Sequence, residues 1–203
     1  MLILAASLVH LLIYWGLVRC YDEASKGDYH CVRDSLRNQF LCTLPLGALV
    51  LYMVTEQRSA TYRISWLPIF VVAADVHFYL VHRAMHSRWL WPYHKRHHRG
   101  TLSIAKSLDA DLPEHLIANF GSYVAGYLLM YAMTPWKPSA LLVLSWSAIA
   151  TWATCTSHCA QRIHGDQGLH TVHHHHLNAN YGVGFYLMDR LLGTYKPWRD
   201  TSM

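Results

Sequence analysis

Five histidines fall between residues 81 and 99 (VHRAMHSRWLWPYHKRHHR): His82, His86, His94, His97 and His98. On a helix, His82 and His86 stand one turn apart on one face, and His94, His97 and His98 share another through the i, i+3, i+4 relation. Imidazoles stacked in this way suit a metal that takes nitrogen ligands, such as iron or zinc. The HxxHH spacing returns at His170, His173 and His174. One such box can arise by chance; HxxxH, HxxHH and a second HxxHH in order point to a metal centre. The run His173–His176 needs its register resolved. At about 100° per residue, with His170 at 0°, His173 and His174 fall at about 300° and 40°, whereas His175 and His176 fall at about 140° and 240°. The equivalent of His175 in the first box is Arg99, and a cation suits a slot turned away from metals.

Boxes separated in sequence must be brought together, and the rest of the chain is read as the device that does so. Its 203 residues suit one domain, and 53% are hydrophobic with only 14% charged, against roughly 25% charged in soluble domains. This indicates an all-α integral membrane bundle. The net charge of +5 is modest, and the basic residues lie among histidines and tryptophans rather than along a solvated face, which argues against nucleic acid. Five cysteines without paired spacing argue against a disulfide framework. Cys155 and Cys159, beside His158, are soft donors by chemistry but read more naturally as small buried apolar residues.

Apolar runs at 2–19, 40–55, 64–86, 115–133 and 139–157 predict five spans. Residues 20–39 read as a loop or interfacial helix, 56–63 as a connector, and 100–114 as a segment on the membrane surface. A helix over 64–86 is about 34 Å long at 1.5 Å per residue and aligns Asp75, Tyr79, His82 and His86 on one face. An acid at membrane depth calls for a partner in the bundle, and Asp75 is expected to hold the far N–H of a ligand histidine. His10 and His77 read as structural. The two last apolar runs, joined by TPWKPS, form a helical hairpin that returns the chain to the side it left. Arg83, Arg88, Lys95, Arg96, Arg99 and Lys106 on the histidine side, against Lys137 in the hairpin turn, place the histidines in the cytosol. Residues 1–63 form an N-terminal anchor region and 64–203 a catalytic domain.

HxxxH, HxxHH, a lone His158 after a hairpin, then HxxHH with NYG and DRLLGT, resembles the fatty acid hydroxylase/sterol desaturase superfamily of membrane dimetal oxygenases over residues 75–195. The stretch HTVHHHHLNANY (170–181) is most similar to cholesterol 25-hydroxylase-like members. The resemblance implies nine ligands: His82, His86, His94, His97, His98, His158, His170, His173 and His174. It also implies that Asn180, Tyr181 and Gly182 shape the site, with Asp189 matching the Asp of the family's WDRLFGT and Glu114 the acid of its His-Pro-x-Glu element. Asp111 stands where that element has His, and Met188 replaces the usual Trp. Fatty acid 2-hydroxylase-like members carry a further His where this chain has Arg162, with His164 two beyond.

Nine imidazoles exceed what one ion can use, so two irons are expected, with zinc able to occupy the site after purification. The implied reaction is O₂-dependent hydroxylation or desaturation of a lipid or sterol. The sequence has no Gly-rich dinucleotide fingerprint, so electrons from NAD(P)H are expected through a separate donor of the cytochrome b5/reductase type. The expected location is the endoplasmic reticulum in a eukaryote or the inner membrane in a bacterium. Two other readings remain open at this level: a metal transporter with ligands lining a pore, and an inactive family member.

Overall fold

The computed structural model describes residues 1–21, 28–56, 61–62, 64–100, 102–135, 137–159 and 169–197. In chain order the helices are α1 (Leu2–Tyr21), α2 (Tyr29–Asn38), α3 (Leu44–Glu56), α4 (Leu67–Met85), α5 (Trp91–His94), α6 (Leu112–Glu114), α7 (Gly121–Met133), α8 (Ala140–Ser157), α9 (Leu169–His175) and α10 (Leu187–Leu191). A π-turn at Gln39–Thr43 joins α2 to α3, and another at His115–Phe120 joins α6 to α7. The described strands, β1 (Thr61–Tyr62) and β2 (Lys137–Pro138), pair in parallel, Thr61 opposite Lys137.

Among the described residues, four segments are long and apolar enough to cross a membrane: Leu2–Tyr21, Ile64–Met85, Leu112–Met133 and Ala140–Ser157. The expected fifth span, 40–55, is not among them; it runs from the π-turn at Gln39–Thr43 straight into α3 as one helical stretch. Each start has a local cause. Pro68 sits in the first turn of α4, where its missing N–H leaves nothing unmade. Ser139 caps α8 by accepting from the Leu142 N–H at 3.1 Å.

The β1–β2 pairing ties the chain before α4 to the hairpin turn between α7 and α8. Both therefore lie at one end of the bundle, and the chain reaches His86 and His158 at the other. The core between these ends is built from Ala6, Leu51, Val54, Phe70, Tyr127, Met130, Leu142, Val143 and Trp146. Phe70 meets Tyr127 edge-on at 4.8 Å and Trp146 at 5.7 Å, a favoured aromatic geometry. Outside this core α1 exposes Leu4, Leu8 and Leu12 at i, i+4, i+8, a face suited to acyl chains rather than water.

Residues 100–114 depart from expectation. Residues 103–110 are buried, because α2 covers them. Ser35 Oγ donates to Ala105 O at 2.6 Å, and Asn38 Nδ2 to Leu108 O at 2.8 Å and Ala110 O at 2.9 Å. Arg96 pairs with Asp34, Asp109 and Asp111, and Lys106 with Asp109. Cys155 and Cys159 pack with Tyr14, Leu17, Ile104 and Leu108. Within the polar 20–39 stretch, α2 (Tyr29–Asn38) is thus a helix that holds the segment behind the first histidine box. Its residues 22–27, the connector residues 57–60 and 63, and the positions of Arg162 and His164 lie outside the described residues.

Helix α7 approaches α4 closely at Gly126, where a Cβ would stand 2.5 Å from Phe70 Cγ and 2.9 Å from Phe70 Cα. Overpacking of this kind costs about 1–3 kcal/mol. Gly126→Ala is expected to lower the thermal midpoint of the detergent-solubilised protein. The same change at Gly16, where nothing lies within 4 Å of the added atom, is expected to leave that midpoint unchanged or slightly raised; equal effects of the two would refute the close approach.

Candidate metal centre

The end of α4 presents His82, buried, and His86, the residue that caps the helix. Short turns and α5 bring the chain back so that His94, His97 and His98 face them; the His97 N–H bonds to His94 O at 2.9 Å. This box is therefore only partly helical, and its i, i+3, i+4 relation survives because tight turns share the handedness of a helix. His158 caps α8. His170, His173 and His174 project from α9, while His175 is exposed and Arg99 likewise.

The nine histidines meet in two groups. His82, His86, His94, His98 and His173 form one, and His97, His158, His170 and His174 the other, with the candidate ligand atoms of each group all within 4.8 Å of one another. Both groups mix residues from before and after the hairpin. The nearest pairs are Nε2 to Nε2: His82–His94 at 3.0 Å, His86–His94 at 3.2 Å, His94–His98 at 2.8 Å and His97–His158 at 2.9 Å.

The far ring nitrogens explain which atoms converge. Nδ1–H donates to Tyr181 O from His82 at 2.6 Å, to Gly182 O from His170 at 3.2 Å and to Ala179 O from His173 at 2.7 Å. His94 Nδ1 meets Glu114 Oε1 at 2.7 Å, and His97 Nδ1 meets Asp109 O at 3.4 Å. Ser157 donates to Thr154 O, so its oxygen accepts from His158 Nδ1 at 2.7 Å. With Nδ1 protonated, each neutral ring turns a lone pair inward from Nε2. Among the described residues, Nε2 of His170, His173 and His174 is buried with no hydrogen-bond partner. Converging all-imidazole lone pairs with orphaned buried nitrogens fit transition-metal ions, and zinc and iron both accept imidazole.

Burial also keeps the rings neutral. It holds His97, His170, His173 and His174 far below the ordinary imidazole range and lowers His94 too, each reinforced by neighbouring imidazoles. Burial brings His86 and His158 to about 4 and His98 to about 3. Neutral rings are the form that ligates.

The residues expected around the histidines divide. Glu114 touches a ring directly. Asn180 and Tyr181 act through the backbone: Asn180 adopts φ 52°, donates to Leu169 O at 3.0 Å and Lys196 O at 2.7 Å, and so sets the loop whose carbonyls accept from His82 and His170. Asp189 anchors that loop by accepting from the Tyr181 N–H at 2.9 Å and the Gly182 N–H at 2.7 Å. Asp75 does something other than expected. Its carboxylate accepts from the N–H groups of Leu187 at 3.2 Å and Met188 at 2.9 Å; it holds the start of α10, and hence Asp189, rather than an imidazole. Asp111 binds Arg96 at 3.2 Å. Sequence reasoning named Gly182 but missed the bare carbonyls of Asp109 and Ala179, since a backbone oxygen leaves no mark in composition. It also missed Asp34, Ser35 and Asn38, whose only signal was their helical spacing.

A family model described as fatty acid hydroxylase matches residues 67–194, more than half of the chain and all nine histidines. The chain belongs to the fatty acid hydroxylase family. It is similar to methylsterol monooxygenase 2-2 of Arabidopsis thaliana, 24% identical over 83% of this chain and 70% of that protein. It is also similar to the very-long-chain aldehyde decarbonylase GL1-8 of Oryza sativa subsp. indica, 26% over 70% of this chain and 56% of that one. The Delta(7)-sterol 5(6)-desaturase erg32 of Schizosaccharomyces pombe is 29% identical over 64% of this chain and 40% of its own length. The chain thus spans between about two fifths and seven tenths of these relatives. No solved structure matches it.

Two outcomes are expected. His173→Ala or His174→Ala lowers metal content and abolishes activity, whereas His175→Ala, on the exposed side, keeps both within a few-fold; elemental analysis giving the reverse order would redraw the box. In the metal-stripped protein, His86, His98 and His158 titrate near 4, 3 and 4 when folded against 6.5 when unfolded. The unfolded state then binds more protons below pH about 6.5, so stability is fully present above that pH and declines as the pH falls towards about 4. Thermal midpoints measured against pH test this, and a flat profile across that window contradicts it.

Proposed function

We propose that the protein is a membrane oxygenase that hydroxylates or desaturates a lipid or sterol with O₂ at a two-metal centre. The observation that carries this is the partition of nine inward-facing imidazoles into groups of five and four, beside a cavity with an apolar wall that includes His158. The five-histidine group would hold one ion and the four-histidine group the other. Two irons, when bound, supply the oxidising power that breaks an unactivated C–H bond; zinc can take their place on isolation. The chain itself does the rest. Tyr181, Gly182, Ala179, Asp109 and Glu114 hold the rings in register through Nδ1–H, and Asp189 and Asp75 fix the loop that carries two of those acceptors. Phe78, Ala74 and Val71 on α4 and Ile149 and Ala150 on α8 line the cavity; they bind the apolar substrate and exclude water from the reacting carbon.

Electrons are assigned to a separate donor of the cytochrome b5/reductase type that draws on NAD(P)H. The histidine end is assigned to the cytosolic side from its lysines and arginines, and the protein to the endoplasmic reticulum if eukaryotic or the inner membrane if bacterial. The gathering of both groups at one end of the bundle favours an oxygenase over a transporter, which needs ligands spaced along a path through the membrane. The relatives named for sterol and aldehyde chemistry support a lipid substrate.

The test is expression in membranes with iron, a reductase-coupled donor and a lipid panel. Two metal ions per chain and an oxygenated or desaturated product that depends on O₂ and on the donor are expected. One ion or none in active protein, or turnover by the isolated chain with NADPH alone, would overturn the reading.

A further inference from the structure

Helix α2 is amphipathic the wrong way round. It buries Cys31, Asp34, Ser35 and Asn38, which share one face at i, i+3, i+4 and i+7, and leaves Tyr29 and Leu36 exposed. A buried polar face persists only where it has partners, and across the interface these lie at residues 96–110. Asn38 Nδ2 donates to Leu108 O at 2.8 Å and to Ala110 O at 2.9 Å, the two carbonyls on either side of Asp109. The Asp109 carbonyl is the one that accepts from His97 Nδ1–H at 3.4 Å. One residue before His97, the Arg96 guanidinium pairs with Asp34 as well as with Asp109. Lys106 Nζ completes the arrangement by donating to Asp109 Oδ2 at 2.8 Å and to Arg96 O at 3.3 Å. Helix α2 therefore grips both the segment that carries the His97 acceptor and the residue that precedes His97.

We propose that Asp34 and Asn38 of α2 are positioning residues for the four-histidine group alone: they set His97, and so govern how tightly that group holds its ion. The two groups depend on α2 unequally. His97 is the one histidine of the first box in the four-histidine group, and without it three imidazoles remain. In the five-histidine group, His82 and His173 take their acceptors from Tyr181 and Ala179, far from α2 in sequence. His94 bonds to Glu114, beyond the gripped segment, and His98 Nδ1 has no hydrogen-bond partner among the described residues. Neither ring leans on 105–110, and that group could lose one imidazole and keep four. An outer partner that orients a ligand ring is worth about 10–100-fold in metal affinity. Helix α2 precedes the residues that the family model matches, so this control lies outside the part of the chain that carries the histidines. The inference rests on the two-metal reading of the centre, but its test reads metal binding and needs no turnover.

The full chain in nanodiscs is stripped with a chelator and titrated with cobalt(II), whose visible bands report nitrogen ligation. Two ions per chain are expected in two steps; His86→Ala identifies the step of the five-histidine group and His174→Ala that of the four. Asn38→Asp keeps the side-chain shape and removes the donor, since an ionised carboxylate only accepts. It is expected to weaken the four-histidine step about 10–100-fold and to leave the other within about threefold. Asp34→Asn, which takes the charge from Arg96, should weaken the same step. Coupling is reciprocal, so in the wild type filling the four-histidine step should slow amide hydrogen exchange in residues 29–38 and 105–110, and filling the other should not. That measurement keeps the inference testable if neither variant folds. Equal weakening of both steps, no weakening of either, or exchange in α2 that ignores the four-histidine ion would overturn it. A wild type that binds fewer than two ions overturns the two-metal reading together with this one. Two ions and an intact coupling in a protein that oxidises nothing would refute the oxygenase reading alone.

Discussion

Nine neutral imidazoles with their lone pairs turned towards one another form an arrangement that a protein cannot hold for its own sake. Each buried polar nitrogen left without a partner costs about 1–3 kcal/mol, and His98 Nδ1 joins the Nε2 atoms of His170, His173 and His174 in that state. Four such groups approach the whole net stability of a domain, about 5–15 kcal/mol. The paired Nε2 atoms near 3 Å add to this cost, because a proton can serve only one nitrogen of each pair. Ligation removes the cost at its source, and structural metal binding contributes on the order of 10 kcal/mol. Much of the fold can be understood as what is needed to keep the rings in that poise.

The outward nitrogens supply the other half of the constraint. Most of their acceptors are backbone carbonyls, and a carbonyl is only as well placed as the segment that carries it. Tyr181 and Gly182 depend on Asp189, which accepts both of their N–H groups, and Gly182 leaves no room for a side chain, since a Cβ there would stand 2.7 Å from Asp189 Oδ2. Asp189 sits on α10, whose start is held by Asp75 from α4. The acid at membrane depth therefore acts on the centre at two removes. On the other side, Asp109 is tied to Arg96 and Lys106, and α2 covers the segment. Residues before the family-matched region thus help to set His97.

The same bundle must face lipid and hold polar groups inside. α1, α4, α7 and α8 solve this by burying narrow stripes and leaving large apolar side chains outside. The cost of internal polarity is met by pairing: His77 with Ser122, Trp146 with Tyr123 O, Tyr123 with Ser147.

The sequence by itself determined the all-helical class, four of the five proposed spans, the return of the chain through the hairpin, and the nine histidines that meet. These were legible because helical periodicity, apolar run length and ligand spacing are local and recur along the chain. The exposed side of the last box was legible for the same reason: one helical turn suffices to separate His173 and His174 from His175. Only the tertiary structure decided how the nine divide, with His173 joining the first group and His97 the second, since membership depends on how α9 lies across the ends of α4 and α8. It also decided that Asp75 holds a helix start, that residues 103–110 are buried beneath α2, and that the 40–55 run opens with a π-turn. Each of these depends on a partner distant in sequence, often a backbone oxygen or N–H common to every residue, and spacing carries no record of it.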